Sequence, residues 1–199
     1  MMTGQSTDDG IEAVGSRRPI LATERPDVHL EPWATEHRPG LLREANDERI
    51  PTNMSDRFPY PYTAADADGW ISLCGATSPA LSFATLVDGD VAGGVGGTLK
   101  EDILAGTAEL GWWIGRRFWG RGITAVAVRR LIRYCFEDLA LDRVEAGVML
   151  RNPASARVAE KAGFDLEGVA KLAYLKNGER IDRLLFGLVK SDWSANTNR

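Results

Sequence analysis

The sequence predicts a single α/β domain in which a mixed sheet is flanked by helices. Two tight turns, Asp88-Gly89 and Asn177-Gly178, each join two runs rich in apolar and β-branched residues. Such dipeptides favour the type I′ turns of β-hairpins. Between the hairpins lies a unit of strand, loop, helix and strand, which is typical of a right-handed parallel crossover. The sheet should therefore combine antiparallel and parallel pairing.

The predicted elements begin at VHLEPW (28–33), where alternating apolar and polar residues indicate a short strand. A helix-compatible stretch follows at 34–48, and Pro39-Gly40 is expected to interrupt it. Prolines at 59 and 61 then favour an extended loop. Thr63 is predicted to cap a helix that contains Trp70.

The second half of the domain carries the crossover. TAELGWWI (107–114) is predicted to pair antiparallel with the second strand of the first hairpin. Residues 124–139 place apolar side chains at helical spacing and arginines on the other side. RVEAGVML (143–150) is the parallel strand. Asn152-Pro153 should begin the next helix, which Gly163 should end.

Length and composition predict one ordinary globular domain. The chain has 199 residues, of which 44% are hydrophobic and 26% are charged, a balance typical of a protein with one core. Residues 1–27 are rich in Ser, Thr, Asp, Gly and Pro and are expected to form a flexible tail. The domain should then span residues 28–193, with a C-terminal tail at 194–199.

Charge and rare residues exclude several classes of function. A net charge of −4 and a pI near 5.3 disfavour direct nucleic-acid binding, which needs a basic surface. Two cysteines and two histidines are too few for a disulfide framework or a zinc site, so no metal is expected. The N-terminus lacks a signal-peptide pattern, and no apolar run reaches the roughly 20 residues of a membrane span. We expect a cytoplasmic protein with reduced thiols and no membrane partner.

The loop RRFWGRGITA (116–125) is the most distinctive stretch of the chain. Its G-x-G-x-x-A spacing matches one form of the dinucleotide-binding fingerprint, and Asp142 lies ~20 residues further on, as that fingerprint requires. However, RRFW separates the strand from the first glycine, and Asp142 precedes the next strand instead of ending it. These two departures disfavour a nicotinamide site. The absence of Gly-Lys-Ser or Gly-Lys-Thr after the glycines excludes a Walker loop.

The same loop is suited to hold another anion. Its two glycines allow a ligand to approach backbone N–H groups closely, and the helix beginning near Thr124 presents its positive end. Arg116, Arg117 and Arg121 add positive charge. A plain strand-to-helix turn with solvated arginines has the same composition, so these residues alone leave both interpretations open.

Several stretches together resemble one enzyme family. Arg117-x-x-Gly120-x-Gly122, between a strand and a long helix, is similar to the acyl-CoA pyrophosphate loop of GCN5-related N-acetyltransferases (GNAT). AELGWWIG, RNPASARVAEKAGF and FPYPYT resemble the branch that acetylates ribosomal-protein N-termini (RimJ/RimL-like). The resemblance covers about residues 28–193. It implies a mostly antiparallel GNAT sheet with a central V-shaped splay, and transfer of an acetyl group from acetyl-CoA to a primary amine by direct attack in a ternary complex.

The resemblance also implies where acetyl-CoA binds. Its pantetheine arm is expected between the strands at 107–114 and 143–150, with one backbone N–H near 113–115 stabilising the oxyanion. Backbone N–H groups from Arg117 to Gly122 are expected to hold the pyrophosphate. The expected cofactor contacts are Trp113, Ile114, Gly115, Arg117, Trp119, Gly120, Arg121, Gly122, Thr124, Asn152 and Ser155. Asn152 and Ser155 have a second interpretation, because both residue types commonly begin helices.

Two residues are candidates for catalysis. Alternation in TAELGWWI places Glu109 on the same strand face as Trp113, leading toward the acyl group, so Glu109 is a candidate base for the amine. A solvated strand residue is the alternative. Many family members carry a tyrosine acid at the position that Ala159 occupies here. The resemblance therefore suggests Ser155 as the group that protonates the leaving thiolate.

The acceptor is the least determined part of the prediction. Phe58, Tyr60 and Tyr62 lie in an extended loop before a helix, where they either line the acceptor channel or pack internally. The sequence does not choose among a protein N-terminus, a lysine, a polyamine and an antibiotic. It also leaves open whether a homodimer shapes the acceptor groove. A non-catalytic acyl-CoA-binding regulatory module is the alternative function.

Overall fold

The computed structural model describes residues 19–197, which form one eight-stranded sheet and five α-helices. The strands are β1 (Leu21–Ala22), β2 (Val28–Pro32), β3 (Ser82–Val87), β4 (Asp90–Leu99), β5 (Thr107–Ile114), β6 (Arg143–Met149), β7 (Asp165–Lys176) and β8 (Glu179–Val189). The helices are α1 (Arg38–Ala45), α2 (Ala64–Ala76), α3 (Ile123–Glu137), α4 (Pro153–Ala162) and α5 (Lys190–Thr197). A 3-10 helix, Arg116–Phe118, lies between β5 and α3.

The strand order confirms the predicted mixed sheet. The strands lie in the order β1-β2-β3-β4-β5-β6-β8-β7. Every neighbouring pair is antiparallel except β5 and β6, which α3 joins as the predicted crossover. Both hairpin turns have positive φ at their two central residues, Asp88-Gly89 and Asn177-Gly178, as type I′ geometry requires.

Helices cover both faces of the sheet. On one face α3 packs through Val128, Leu131, Ile132 and Phe136, whose side chains are fully buried against β5 and β6. On the other face α1 and α2 enclose a second apolar cluster that contains Trp33. Since the sheet separates the two layers, any opening between its central strands connects two different environments.

Pro39 begins a helix instead of interrupting one. It stands in the first turn of α1, where its fixed φ suits the helix and its missing N–H would have had no partner anyway. The predicted break at Pro39-Gly40 is therefore wrong.

The sheet extends beyond the predicted domain boundaries. Leu21, which the sequence places in the tail, belongs to β1, pairs with Leu30 of β2 and is 2% exposed. At the other end α5 continues past residue 193 to Thr197. The remaining parts of the two expected tails, residues 1–18 and 198–199, lie outside the described residues.

Thr63 caps α2 as predicted, and Thr63 and Asp66 exchange hydrogen bonds in both directions. Its hydroxyl accepts a hydrogen bond from the backbone N–H of Asp66 at 3.3 Å. The Asp66 carboxylate accepts one from the backbone N–H of Thr63 at 2.8 Å. This capping box satisfies donors that the first turn of a helix otherwise leaves open.

We expect Thr63→Ala to lower the free energy of unfolding by about 1 kcal/mol, because the alanine side chain offers no acceptor to the helix N-terminus. Chemical denaturation monitored by circular dichroism measures the change. Thr63→Ser keeps the hydroxyl and serves as the control, with stability close to that of the unmodified chain. An alanine variant as stable as the serine variant would contradict the capping role.

Candidate active site

The central parallel pair of strands stops pairing part-way along its length. β5 and β6 pair from Thr107 opposite Arg143 to Glu109 opposite Glu145. Beyond that point β5 stays paired with β4 up to Ile114, and β6 stays paired with β8 up to Met149. The two strands therefore leave a gap between them, at the place where the V-shaped splay is expected.

Backbone alternation shows which groups of β5 face this gap. The N–H of Gly115 donates to the carbonyl of Ala92 at 2.7 Å, and Lys100 donates to the carbonyl of Thr107 at 2.8 Å. Because antiparallel ladders alternate, the odd-numbered residues of β5 bond to β4 and the even-numbered ones point away from it. Of the three expected oxyanion positions at 113–115, only Ile114 thus directs its N–H toward the gap.

The opposite edge of the gap follows the same rule. The N–H of Leu150 donates to the carbonyl of Asp182 at 2.9 Å, which places the even-numbered residues of β6 toward β8. Gly147 and Met149 therefore turn their backbone groups toward β5. An extended chain with amide groups could bond to both edges as an additional strand would.

The glycine loop continues from the end of β5. Gly120 and Gly122 have φ of +74° and +75°, and a Cβ at either residue would meet no other atom within 4 Å. The loop therefore uses glycine for its left-handed backbone and leaves the space above it open. Gly122 is the N-cap of α3, a helix of 15 residues, so the positive end of that helix faces the same space.

Not every predicted amide of the loop is available. The N–H groups of Phe118 and Trp119 donate to the carbonyls of Gly115 and Arg116 at 3.0 and 3.1 Å, within the 3-10 turn. The Trp119 indole donates to the Ile114 carbonyl at 2.8 Å and so fastens the loop to β5. The amides able to hold an anion are accordingly those from Gly120 into the first turn of α3.

A cavity of about 470 Å³ lies beside this loop. Of the predicted cofactor residues, it is lined by Trp113, Ile114, Trp119, Gly120, Gly122, Thr124, Asn152 and Ser155. A Cβ at Gly120 or Gly122 would project into open space, so the backbone donors of the loop are accessible to a diphosphate such as that of CoA.

The side chains of Arg117 and Arg121 contact other groups of the protein. Arg117 pairs with Glu44 at 2.8 Å and lies 4.5 Å over the ring of Phe118. The Arg121 guanidinium lies 5.5 Å from the same ring. Neither side chain lines the cavity, and the expected contact of Arg121 with the cofactor phosphates stays a prediction.

Three other cationic side chains line the cavity beside the glycine loop: Arg49, Arg157 and Lys161. Sequence reasoning missed them. Arg157 and Lys161 are four residues apart on α4 and therefore share a helix face. This spacing can be recognised in the sequence. Arg49 comes from the loop after α1, and nothing in the local sequence places it near the glycine loop.

Ser155 is held by two neighbours. Asn152 caps α4 and accepts a hydrogen bond from the Ser155 N–H at 3.2 Å. The Trp112 indole N–H donates to the Ser155 hydroxyl oxygen at 2.8 Å. Trp112 uses the Ser155 hydroxyl only as an acceptor, so the hydroxyl proton of Ser155 remains available for donation to another group. Asn152 is thus both the predicted helix cap and part of the cavity wall.

A second cavity, of about 1050 Å³, adjoins the first and is lined by residues of both β5 and β6. The two cavities share the residues Asn53, Met54, Trp112, Trp113, Asn152 and Ser155. Ser155 therefore stands at the junction between the glycine loop and the larger cavity.

Glu109 lines the larger cavity and is bound by two cations. Its two carboxylate oxygens accept hydrogen bonds from Lys100 and from Arg183 of β8, both at 2.8 Å. Lys100 also lies 3.0 Å from Glu145. Both carboxylates raise the pKa of Lys100, and Glu109 contributes more than Glu145. About a third of the Glu109 side chain remains exposed, so Glu109 is an anchored carboxylate with access to the cavity.

Tyr174 is a wall residue that the sequence did not single out. It lines the larger cavity, and a Cβ at Gly147 would lie 2.2 Å from its hydroxyl oxygen. Burial raises the pKa of Tyr174, so its phenol stays protonated at neutral pH. No feature of the local sequence reveals this role, because the long β7–β8 hairpin brings Tyr174 over β6.

The predicted aromatic loop packs inside the domain. Tyr62 is 7% exposed, and burial raises its pKa to about 12. Phe58 packs between Tyr62 and Trp113, with ring centroids 5.2 and 5.6 Å apart. Tyr60 is 52% exposed. None of the three lines either cavity. The internal-packing alternative therefore describes Phe58 and Tyr62, and a role of Tyr60 in the acceptor channel stays a prediction.

Other kinds of site find little support in residues 19–197. No three His, Cys, Asp or Glu side chains in this part of the chain are arranged to hold a metal ion. Burial raises the pKa of Cys135 to about 12, which makes it a poor nucleophile at neutral pH. None of the helices described is both long and apolar enough to cross a membrane. Asp142 lies before β6 and does not end a strand, as a nicotinamide site would require.

Comparison with known proteins agrees with this geometry. The family model of the acetyltransferase (GNAT) domain matches residues 27–165. The Bacillus subtilis protein YdaF is 41% identical over 86 residues, which make up 43% of this chain and 47% of that protein. The ribosomal protein uS5-alanine N-acetyltransferase of Escherichia coli K12 is 33% identical over 85 residues, or 43% and 44% of the two chains. The chain spans about half the length of the curated relatives it matches.

Solved structures share the whole architecture. RimJ of Mycobacterium smegmatis, determined in complex with CoA-disulfide, aligns with a TM-score of 0.77 over 88% of this chain and 90% of that chain. Its sequence is 22% identical, so the likeness concerns the fold.

Proposed function

The chain belongs to the GNAT acetyltransferase family, and we propose that it transfers an acetyl group from acetyl-CoA to a primary amine. The observation that carries the proposal is the gap between β5 and β6, which continues directly into the glycine loop at the N-terminus of α3. The gap offers backbone partners for an amide-containing arm, and the loop offers backbone donors for a diphosphate. CoA contains these two groups in that order.

Direct attack requires a neutral amine, whereas a free amine with a pKa of ~8 to 10 is mostly protonated at pH 7. We assign proton removal to Glu109, directly or through water, because its anchored carboxylate lines the larger cavity. The N–H of Ile114 is assigned to the developing oxyanion. We assign to Ser155 a hydrogen bond that stabilises the departing thiolate, since Trp112 and Asn152 do not accept its hydroxyl proton.

Calorimetric titration with acetyl-CoA, and with NADH in parallel, tests the cofactor assignment. We expect micromolar binding of acetyl-CoA alone. Release of free CoA thiol on addition of amines then tests the reaction. Binding without turnover on any amine would favour the non-catalytic acyl-CoA-binding module. Binding of NADH alone would overturn the proposal.

Ser155→Ala should lower kcat about tenfold, since a hydrogen bond to a charged group contributes ~1.5–3 kcal/mol and a thiolate leaves readily without full protonation. Trp112→Phe, which removes only the indole donor, should give a smaller loss. If Trp112 acts by orienting the Ser155 hydroxyl, the double variant should be no slower than Ser155→Ala. Steady-state kinetics at saturating acetyl-CoA measure all three variants. Fully additive losses would contradict the positioning role of Trp112.

The acceptor is a primary amine, either a protein N-terminus or a small molecule. The ribosomal-protein acetyltransferase among the relatives supports the first, and the volume of the larger cavity is also sufficient for the second. We further propose a cytoplasmic location, consistent with that relative. A homodimer is a further proposal that sedimentation of the purified protein would test.

A further inference from the structure

The floor of the larger cavity is open backbone at Gly111, whereas a Cβ at Gly96 would lie 2.7 Å from the hydroxyl oxygen of Ser82. Gly111 of β5 lies opposite Gly96 of β4, and both belong to the strand face that also carries Glu109 and Trp113. A Cβ at Gly111 would meet no other atom within 4 Å. Core packing therefore does not require glycine at this position, and its missing side chain leaves free height above the sheet.

Part of the wall around this floor is aromatic and apolar. Trp70 and Leu73 of α2 and Trp113 of β5 line the cavity. Leu73 is 60% exposed, although it belongs to a helix that packs on the sheet. The ring of Phe58 meets that of Trp113 edge to face at 5.6 Å and so supports its orientation. A flat apolar group can contact such walls while its plane rests on the glycine backbone.

The charges of the wall are largely bound to one another. Three carboxylates line the cavity. Asp56 pairs with Lys176 at 2.7 Å, Glu109 is bound by Lys100 and Arg183, and Glu101 is exposed. A polyamine would have to compete with these built-in cations for Asp56 and Glu109. Apolar contact is consequently the stronger basis for selecting an acceptor here.

We propose that the larger cavity selects primary amines carrying a planar aromatic group, and that Gly111 sets the clearance for that group. The inference rests on the proposed acetyl transfer. It assigns to Gly111 a role in acceptor choice, because Gly111 lines the larger cavity and not the one beside the glycine loop. Its backbone groups bond to β4 and not across the gap, so they take no part in holding the donor.

A comparison of three acceptors tests the substrate class. We expect kcat/KM for 2-phenylethylamine to exceed that for 1,4-diaminobutane, and that for a peptide beginning with alanine, by at least about tenfold, the range that apolar pocket contacts provide. Higher kcat/KM for the diamine or for the peptide would overturn the inference while leaving acetyl transfer intact. Failure to acetylate any of the three, in a protein that binds acetyl-CoA, would also overturn it.

Gly111→Val tests the clearance. The variant should raise KM for 2-phenylethylamine by about tenfold or more and leave the calorimetric affinity for acetyl-CoA unchanged. Gly168→Val is the matched control, since Gly168 also lies in a strand, has no atom within 4 Å of a Cβ and lines neither cavity. Equal KM values in the two variants would refute the role of Gly111. If the unmodified chain does not bind acetyl-CoA, the proposed function is refuted instead.

Discussion

Gly120→Val should raise the dissociation constant for acetyl-CoA at least about 100-fold, equivalent to about 2.8 kcal/mol. Gly120 has a φ of +74°, and a left-handed backbone costs an L-residue roughly 1–2 kcal/mol. The valine side chain would also occupy the open space through which a diphosphate approaches the backbone donors. Calorimetric titration measures the affinity, and circular dichroism establishes that the variant is folded.

Gly178→Val separates strain from blocked approach. Gly178 has a φ of +80° and equally open surroundings, but it lies in the β7–β8 turn and lines neither cavity. The control should lose stability and keep its affinity for acetyl-CoA. Normal affinity in Gly120→Val would show that the glycine loop does not hold the cofactor.

Glu109→Gln should lower kcat at neutral pH by roughly 10² to 10⁴, the usual contribution of a positioned base, and should leave acetyl-CoA affinity nearly intact. A carboxylate accepts the proton of the attacking amine, whereas an amide does not. If Glu109 is the base, the variant can use only amine that is already neutral in solution, so the shape of its pH–rate profile should change. Initial rates across the pH range measure both effects.

Glu101→Gln provides the matched comparison, because Glu101 is another carboxylate that lines the larger cavity. Its profile should keep the shape found for the unmodified chain. Glu109 also binds Lys100 and Arg183, so a loss of rate alone could arise from disturbed positions of these cations. An unchanged pH–rate profile in Glu109→Gln would therefore remove Glu109 as the base even if the rate fell.

Features determined by neighbouring residues were predictable from sequence. The Asp88-Gly89 turn, the Thr63 cap and the Asn152-Pro153 helix start each follow from backbone preferences within a few positions, and the structure confirms all three. Gly120 and Gly122 belong to the same class, since their positive φ is a local requirement.

Features that depend on distant contacts were not predictable. Arg117 could be recognised as a cation, but its pairing with Glu44 of α1 depends on how α1 packs beside the loop. The aromatic loop shows the same limit, because Phe58 looks equally suitable for a channel and for a core until its neighbour Trp113 is known. Tyr174 reaches the site only through the register of a long hairpin.

The alternating backbone of β5 has a consequence for how the protein tolerates sequence change. A main-chain amide is present whatever side chain its residue carries, so substitutions at Trp112 or Ile114 alter the packing around the gap without deleting the donors that face it. The larger cavity, by contrast, is shaped by side chains such as Trp70 and Leu73. Over evolutionary time the acyl donor should therefore be inherited while acceptors are exchanged, and libraries randomised at the cavity wall should yield new acceptors more readily than new donors.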